Sequence, residues 1–251
     1  MLKEERQQHI LQKLRNEGKV LASELSATLN ISEDTIRRDL RDLAEAGLIQ
    51  RVHGGALLRS PAVASYHKRE SQRLAAKVEI AQAALPLIRN GQVIIMDGGT
   101  TTLQVAQKMP YDLELTVVTN SPPIAVALAE HPAIEVILIG GKLYSKSLVT
   151  VGVTAVESLR TFRVDLCMLG ICSLHPETGI SVPMLEEAHV KRAMINSAAE
   201  VVALASAEKL NTAAPYIVGP LTDLTHLVTE SDVPTEVLTP YRARGITIIQ
   251  E

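Results

Sequence analysis

The chain has 251 residues, a net charge of −3, 46% hydrophobic and 21% charged residues, enough for one large domain or for a small one joined to a medium one. No apolar run reaches bilayer length and the charged start MLKEERQQ has no apolar segment behind it, so the sequence reads as cytoplasmic, with no membrane partner. One Phe and no Trp exclude the aromatic platforms that bind single-stranded nucleic acid, and leave duplex DNA open.

Ile10, Leu11 and Leu14 recur at helical spacing and predict a helix over residues 4–17, stopped by Gly18. A short second helix fits residues 22–29, closed by Asn30, a residue that tolerates the left-handed turn conformation. Ser32 is then an N-cap, and Ile36, Leu40 and Leu43 carry a third helix to Gly47. Two helices joined by a tight turn, the second capped and carrying arginines, form a helix-turn-helix. A strand over 48–52, a turn at His53-Gly54-Gly55 and a return strand over 56–58 add a hairpin wing.

Residues 3–58 are therefore expected to form a winged helix-turn-helix DNA-binding domain. Its candidate DNA contacts are Ser32, Thr35, Arg37, Arg38, Arg41, Arg51, His53 and Gly54, since an arginine fork pairs with phosphate or guanine in the major groove. Charge adds little, because residues 1–60 carry ten Lys/Arg against nine Asp/Glu. Glu33 before Arg37, and Asp34 and Asp42 on either side of Arg38, stand at i, i+4 spacing, so the same arginines could simply lace a solvated helix. The motif context favours DNA.

Residues 59–67, with Ser, Pro and small residues and no periodicity, read as a linker. Residues 68–251 are expected to form an α/β domain for effector sensing and oligomerisation. It opens with one long amphipathic helix over 68–88, bent or ended near Pro86. Candidate strands follow at 93–96, 115–118, 136–139, 166–169, 201–205, 226–228 and 246–249. Helical patterns lie between them near 102–108, 124–129, 153–162, 186–198 and 235–244. That alternation predicts a largely parallel sheet covered by helices.

Ligands of open parallel sheets bind outside the carboxyl ends of the strands. There the chain places Asp97, Gly98, Gly99, Thr100, Thr101 and Thr102, then Asn120, then Gly140, Gly141 and Lys142, then Gly170. Glycines let the backbone approach an anion, hydroxyls donate to it, and a helix starting near Thr101 adds its dipole. Taken singly, each glycine could merely make a tight turn; together they point to a phosphate-like anion. Glu187, Lys191 and Lys209 are further candidates, although Glu187 and Lys191 also suit a helix i, i+4 pair. Cys167 and Cys172 read as small buried hydrophobes, and the seven histidines show no metal-ligand spacing. No P-loop, dinucleotide fingerprint or nucleophile motif calls for a cofactor or a catalytic role.

The stretch SEDTIRRDLRDLAEAGLIQRVHGGA resembles the recognition helix and wing of the DeoR family of bacterial regulators. DGGTTT, TNS, GGKL and EEAHVKRAMI resemble that family's sensor-domain motifs in the family's order, and the likeness runs from about residue 3 to the end. The resemblance implies a repressor of carbohydrate or nucleoside catabolic genes, bound to double-stranded operator DNA and relieved by a phosphorylated sugar. It also implies a sensor domain similar to ribose-5-phosphate isomerases, and a homo-oligomer, whether dimer, tetramer or larger. Where the family commonly reads an Asp, Ser, Ser and Lys segment, this chain has Ala205-Ser206-Ala207-Glu208-Lys209, with the lysine kept and Ser206 in place of the usual acid, which bears on the identity of the effector. The alternative is a sugar-phosphate isomerase-like enzyme with an appended DNA-binding head, using Asp97, Glu187 or Lys209 as acid–base groups.

Overall fold

The computed structural model describes residues 1–59 and 64–250, apart from the side chains of residues 15 and 16. The central part of the expected linker, residues 60–63, lies outside the described residues. The head is built from α1 (Lys3–Glu17), β1 (Lys19–Leu21), α2 (Ala22–Leu29), α3 (Glu33–Glu45), β2 (Ile49–Val52) and β3 (Gly55–Arg59). Asn30 takes the left-handed conformation that turns α2 into α3 (φ 53°), and the Ser32 hydroxyl accepts from the Thr35 N–H at 3.4 Å as the cap of α3. Ile10, Leu14, Leu25, Ile36, Leu40 and Ile49 are almost completely buried together. Each contributes about 1.5–3 kcal/mol from burial.

Sequence reading missed β1. It pairs antiparallel with β3, whose other edge carries β2, so the wing belongs to a sheet rather than a lone hairpin. Gly55 allows that pairing, because a Cβ there would overlap the Val20 carbonyl.

The body runs α4 (Tyr66–Ser71), α5 (Leu74–Ala84), β4 (Val93–Met96), α6 (Thr100–Gln107), β5 (Leu115–Thr119), α7 (Pro122–Leu128), β6 (Ile134–Leu138), β7 (Lys142–Tyr144), β8 (Val149–Val151), α8 (Val153–Arg160) and β9 (Val164–Gly170). It continues with β10 (Ser173–His175), β11 (Gly179–Val182), α9 (Leu185–Ser197), β12 (Ala198–Leu204), β13 (Thr212–Ala213), β14 (Tyr216–Gly219), β15 (His226–Val228), α10 (Thr235–Arg242) and β16 (Thr247–Ile249). Seven strands form one parallel sheet in the order β16-β15-β12-β9-β4-β5-β6. Successive residues face opposite sides: Ile94, Met96, Leu166 and Met168 pack with Ile80, Leu103 and Ile124, whereas Ile95, Cys167 and Leu169 pack with Leu159, Met194 and Tyr241. Both faces are thus covered, as the apolar strands required.

Two expectations are corrected. The single helix over 68–88 is two helices broken at Gln72 and Arg73, the latter at φ 49°, and a 3-10 turn at Leu85–Leu87 carries Pro86. The body also holds short antiparallel pieces that periodicity did not show: the β7–β8 hairpin and the β10–β11–β14 sheet. No helix among the described residues is long and apolar enough to cross a membrane.

Candidate functional site

From β4 the chain builds outward to β5 and β6, and from β9 it builds the other way to β12, β15 and β16. The order therefore reverses between β4 and β9, and the crevice at their carboxyl ends is where an open α/β sheet takes a ligand. Asp97 follows β4, Gly170 ends β9, and the Gly170 N–H donates to Asp97 Oδ2 at 2.9 Å. The Lys191 ammonium, projecting from α9, pairs with the same carboxylate and donates to the Gly170 carbonyl at 2.8 Å.

Asp97 and Lys191 are 2% and 3% exposed. Burial pushes the Asp97 carboxyl up, against the opposing pull of Lys191. Burial would push Lys191 down, and the facing Asp97 more than offsets it and holds the ammonium charged. The pair ties together the ends of β4 and β9.

Beside the pair lies a small cleft which, contrary to expectation, neither Asp97 nor Lys191 lines. Gly98, Gly99, Thr100, Thr101, Gly170 and Lys209 line it, as do Arg69, Gln72, Lys77, Cys172, Ser206 and Glu208. The start of α6 at Thr100, capped by Gly99, presents unpaired backbone N–H groups and the positive end of a helix dipole. Gly98 lets the loop close, since a Cβ there would overlap the buried Val149 side chain.

The structure sorts the remaining expected residues. Thr102 is buried and its hydroxyl donates to the Gly99 carbonyl at 2.9 Å, which shapes the loop rather than the cleft. Asn120 accepts from the Gly98 N–H at 3.3 Å and donates to the Thr150 carbonyl at 3.0 Å, so it positions the loop from behind. Gly140, Gly141 and Lys142 do not line the cleft. Lys142 begins the β7–β8 hairpin and pairs with Glu186 at 3.2 Å. The reason is lateral distance: β6 lies two strands from β4, about 10 Å at normal strand spacing.

Glu187 does not line the cleft either. It is buried, its carboxyl is pushed up chiefly by that burial, and its Oε2 has no hydrogen-bond partner among the described residues. The expected Glu187–Lys191 helix pair gives way to Lys191–Asp97.

Cleft residues absent from the expected set are Ile171, Cys172, Ser206 and Glu208, together with Arg69, Gln72 and Lys77 from α4, α5 and the break between them. The break at Arg73 brings α4 over the cleft and leaves Lys77 on the inward side of α5, only 5% exposed, where it donates to the Arg69 carbonyl. Burial, reinforced by Lys209, lowers its pKa to about 8. Lys209 is likewise lowered by burial, partly offset by Glu208. Cys172, expected to be a buried hydrophobe, lines the cleft. A carboxylate is present two residues beyond Ser206: the Ser206 hydroxyl donates to Glu208 Oε1 at 2.7 Å. Burial would push Glu208 up, but Ser206, Lys209 and Arg73 more than offset it.

In the head, Arg37, Arg38, Arg41, Arg51, His53 and Gly54 are exposed. A groove between α3 and the wing is lined by Arg37, Arg51, His53 and Gly54. Ser32 and Thr35 are engaged with each other, hydroxyl to hydroxyl at 2.9 Å. Arg37 pairs with Glu33 at 2.6 Å, as its spacing allowed, whereas Asp42 pairs with Lys3 of α1 at 2.7 Å. Among the described residues, Arg38, Arg41 and Arg51 make no ion pair, so their forks are open to an anionic partner. Arg6 of α1 clamps buried Asp39 with two hydrogen bonds, one of them 3.0 Å, and holds α3 from behind.

The DeoR-like helix-turn-helix domain matches residues 6–62, and the DeoR C-terminal sensor domain matches residues 72–231. The HTH-type transcriptional regulator GlpR of Haloferax volcanii is 35% identical over 99% of this chain and 98% of its own length. The HTH-type transcriptional repressor GlcR of Bacillus subtilis is 34% identical over 92% of this chain and 89% of its own. A ribose 5-phosphate isomerase A from Methanocaldococcus jannaschii matches 53% of the chain and 52% of its own at 16% identity, with a TM-score of 0.39, too loose to carry an argument. The two domain matches in order and the end-to-end relatives show that the chain belongs to the DeoR family of DNA-binding transcriptional regulators.

Proposed function

We propose that this regulator represses genes of carbohydrate or nucleoside catabolism and that a phosphorylated sugar bound at the β4–β9 crevice relieves the repression. The observation that carries the reading is the cleft itself: three cationic side chains, Arg69, Lys77 and Lys209, share it with the start of α6. Such a lining suits a phosphate at one end. Glu208 and Ser206 add acceptors and a hydroxyl for the polyhydroxylated part of a ligand.

The relatives support the physiological side, being named as a glycerol-3-phosphate regulon repressor and a putative aga operon repressor, among others. Helix α3 would enter the major groove with Arg38 and Arg41 while Arg51 and His53 of the wing meet the adjacent backbone. A homo-oligomer would match two operator half-sites.

The isomerase-like alternative needs a free acid–base group. Asp97 is tied to Lys191 and Gly170, and Glu187 lies outside the cleft lining, which leaves Lys209, in the cleft and with its pKa lowered by burial, as the candidate that reading keeps. Calorimetry with a panel of sugar phosphates and their dephosphorylated counterparts tests the proposal. Binding that requires the phosphate and is lost in Lys209→Met supports it. Turnover of a panel compound by the purified protein would favour the enzyme.

A further inference from the structure

The head and the body share a strand pairing. β1 covers one edge of β3 from Gly55 to Leu57. Since β2 occupies the opposite edge up to Leu58, β13 of the body must continue the edge that β1 leaves open, pairing parallel with β3 at Thr212↔Leu58 and Ala213↔Arg59. Gly18, just before β1, abuts Asn211, just before β13: a Cβ on Gly18 would lie 3.3 Å from that of Asn211.

Beside this seam, Lys19 of β1 pairs with Glu177 of the body. The wing's sheet is therefore completed by the sensor domain.

β13 is also the end of a short segment whose beginning lines the cleft. Ser206, Glu208 and Lys209 line it. Residues Ala207–Lys209 form a 3-10 turn, and the Thr212 hydroxyl donates back to the Lys209 carbonyl at 2.7 Å. Between turn and strand, Asn211 stands at φ 58°, a conformation that costs a non-glycine residue energy and persists where its surroundings impose it. Here they do. The buried Tyr241 hydroxyl accepts from the Asn211 N–H at 3.1 Å and lies 3.1 Å from both of its candidate acceptors, the Leu174 carbonyl and Asn211 Oδ1.

We infer that residues 206–213 are the element through which occupancy of the cleft reaches the wing. Ligand contact at Ser206, Glu208 or Lys209 shifts the turn, and the rigid Asn211 corner passes the shift to the β13–β3 pairing. This inference rests on the anion-cleft reading above and names the regulation of that same site. Coupling of this kind is a difference in ligand affinity between two arrangements of one bistable element, and it acts equally in both directions. Tyr241 does not line the cleft, so it is a positioning residue.

Hydrogen exchange of the full chain tests the inference, with inorganic phosphate as the probe. In the wild type, phosphate should slow exchange at residues 98–101 and change it at 56–59 by about fivefold or more, the lower end of allosteric couplings. In Tyr241→Phe, which fills the same space, the slowing at 98–101 should remain and the change at 56–59 should be lost. Slowing at 98–101 with 56–59 unmoved in the wild type, or moved equally in Tyr241→Phe, overturns the coupling.

Failure of phosphate to slow 98–101 counts instead against the anion cleft, and the coupling is then decided without ligand. Thr212→Pro, which removes a backbone donor from β13, should speed exchange at both 56–59 and 206–209. Ala213→Pro serves if that variant does not fold. Speeding at one end alone overturns the inference.

Discussion

The Lys191 ammonium closes on the Asp97 carboxylate at the point where the sheet reverses its strand order, and both side chains are sealed from water. Removing one partner leaves the other charge buried without compensation, which costs about 3–5 kcal/mol. Lys191→Met should therefore lower the stability of the body by that order in denaturant unfolding. The double variant Asp97→Asn, Lys191→Met should recover part of the loss. A melt of the single variant that matches wild type would contradict a structural role for the pair.

The head separates exposed arginines proposed to contact DNA from Arg6, which holds α3 in place from behind. Arg38→Ala and Arg41→Ala remove exposed forks that make no ion pair among the described residues. Each should weaken operator binding by about 1–3 kcal/mol where it reads a base, or flatten the salt dependence where it meets a phosphate, with the melt unchanged. Arg6→Ala strips the buried Asp39 of its partner and should destabilise the head. Thermal unfolding alongside DNA binding distinguishes the two classes, and a normal melt for Arg6→Ala would contradict the clamp.

Anion binding should depend on pH through Lys77. Burial sets its pKa to about 8, so below that pH the ammonium is charged and attracts a phosphate, and above it the charge is lost. Affinity for inorganic phosphate, followed by calorimetry, should fall as pH rises through about 8. Lys77→Gln should bind more weakly at low pH and show a flatter profile. An equally steep profile in Lys77→Gln would assign the titration to another group.

Gly55→Ala should loosen the wing, because the new methyl meets the Val20 carbonyl across the β1–β3 pairing. Overpacking of this sort costs about 1–3 kcal/mol. Hydrogen exchange should rise at residues 19–21 and 55–57 while the seven-stranded sheet stays protected. Unchanged exchange there would mean that the two strands can separate without consequence.

Helix α3 was legible because its cap, its apolar period and its arginines agree on one structure, and β4 because an apolar run ends in Asp97-Gly98-Gly99. The cleft was only half legible. Strand-end reasoning located Gly98–Thr101, Gly170 and Lys209, but it treated all strands alike and so brought in Gly140 to Lys142, which follow an edge strand. Lys77 stayed hidden since a lysine in an amphipathic pattern normally marks the solvent face, and only the break at Arg73 fixes where α4 and α5 lie. β13 has two residues and owes its existence to β3, far away in sequence, so no local period could announce it.

The most direct test is an anisotropy titration of the full chain against the DNA upstream of its own gene, at fixed salt, with and without a panel of sugar phosphates. The account predicts tight sequence-specific binding that one phosphorylated compound weakens by about 5–150-fold, the usual span of allosteric coupling, and that its dephosphorylated form leaves unchanged. Specific binding that no phosphorylated compound alters, or that the dephosphorylated form releases equally well, would contradict it.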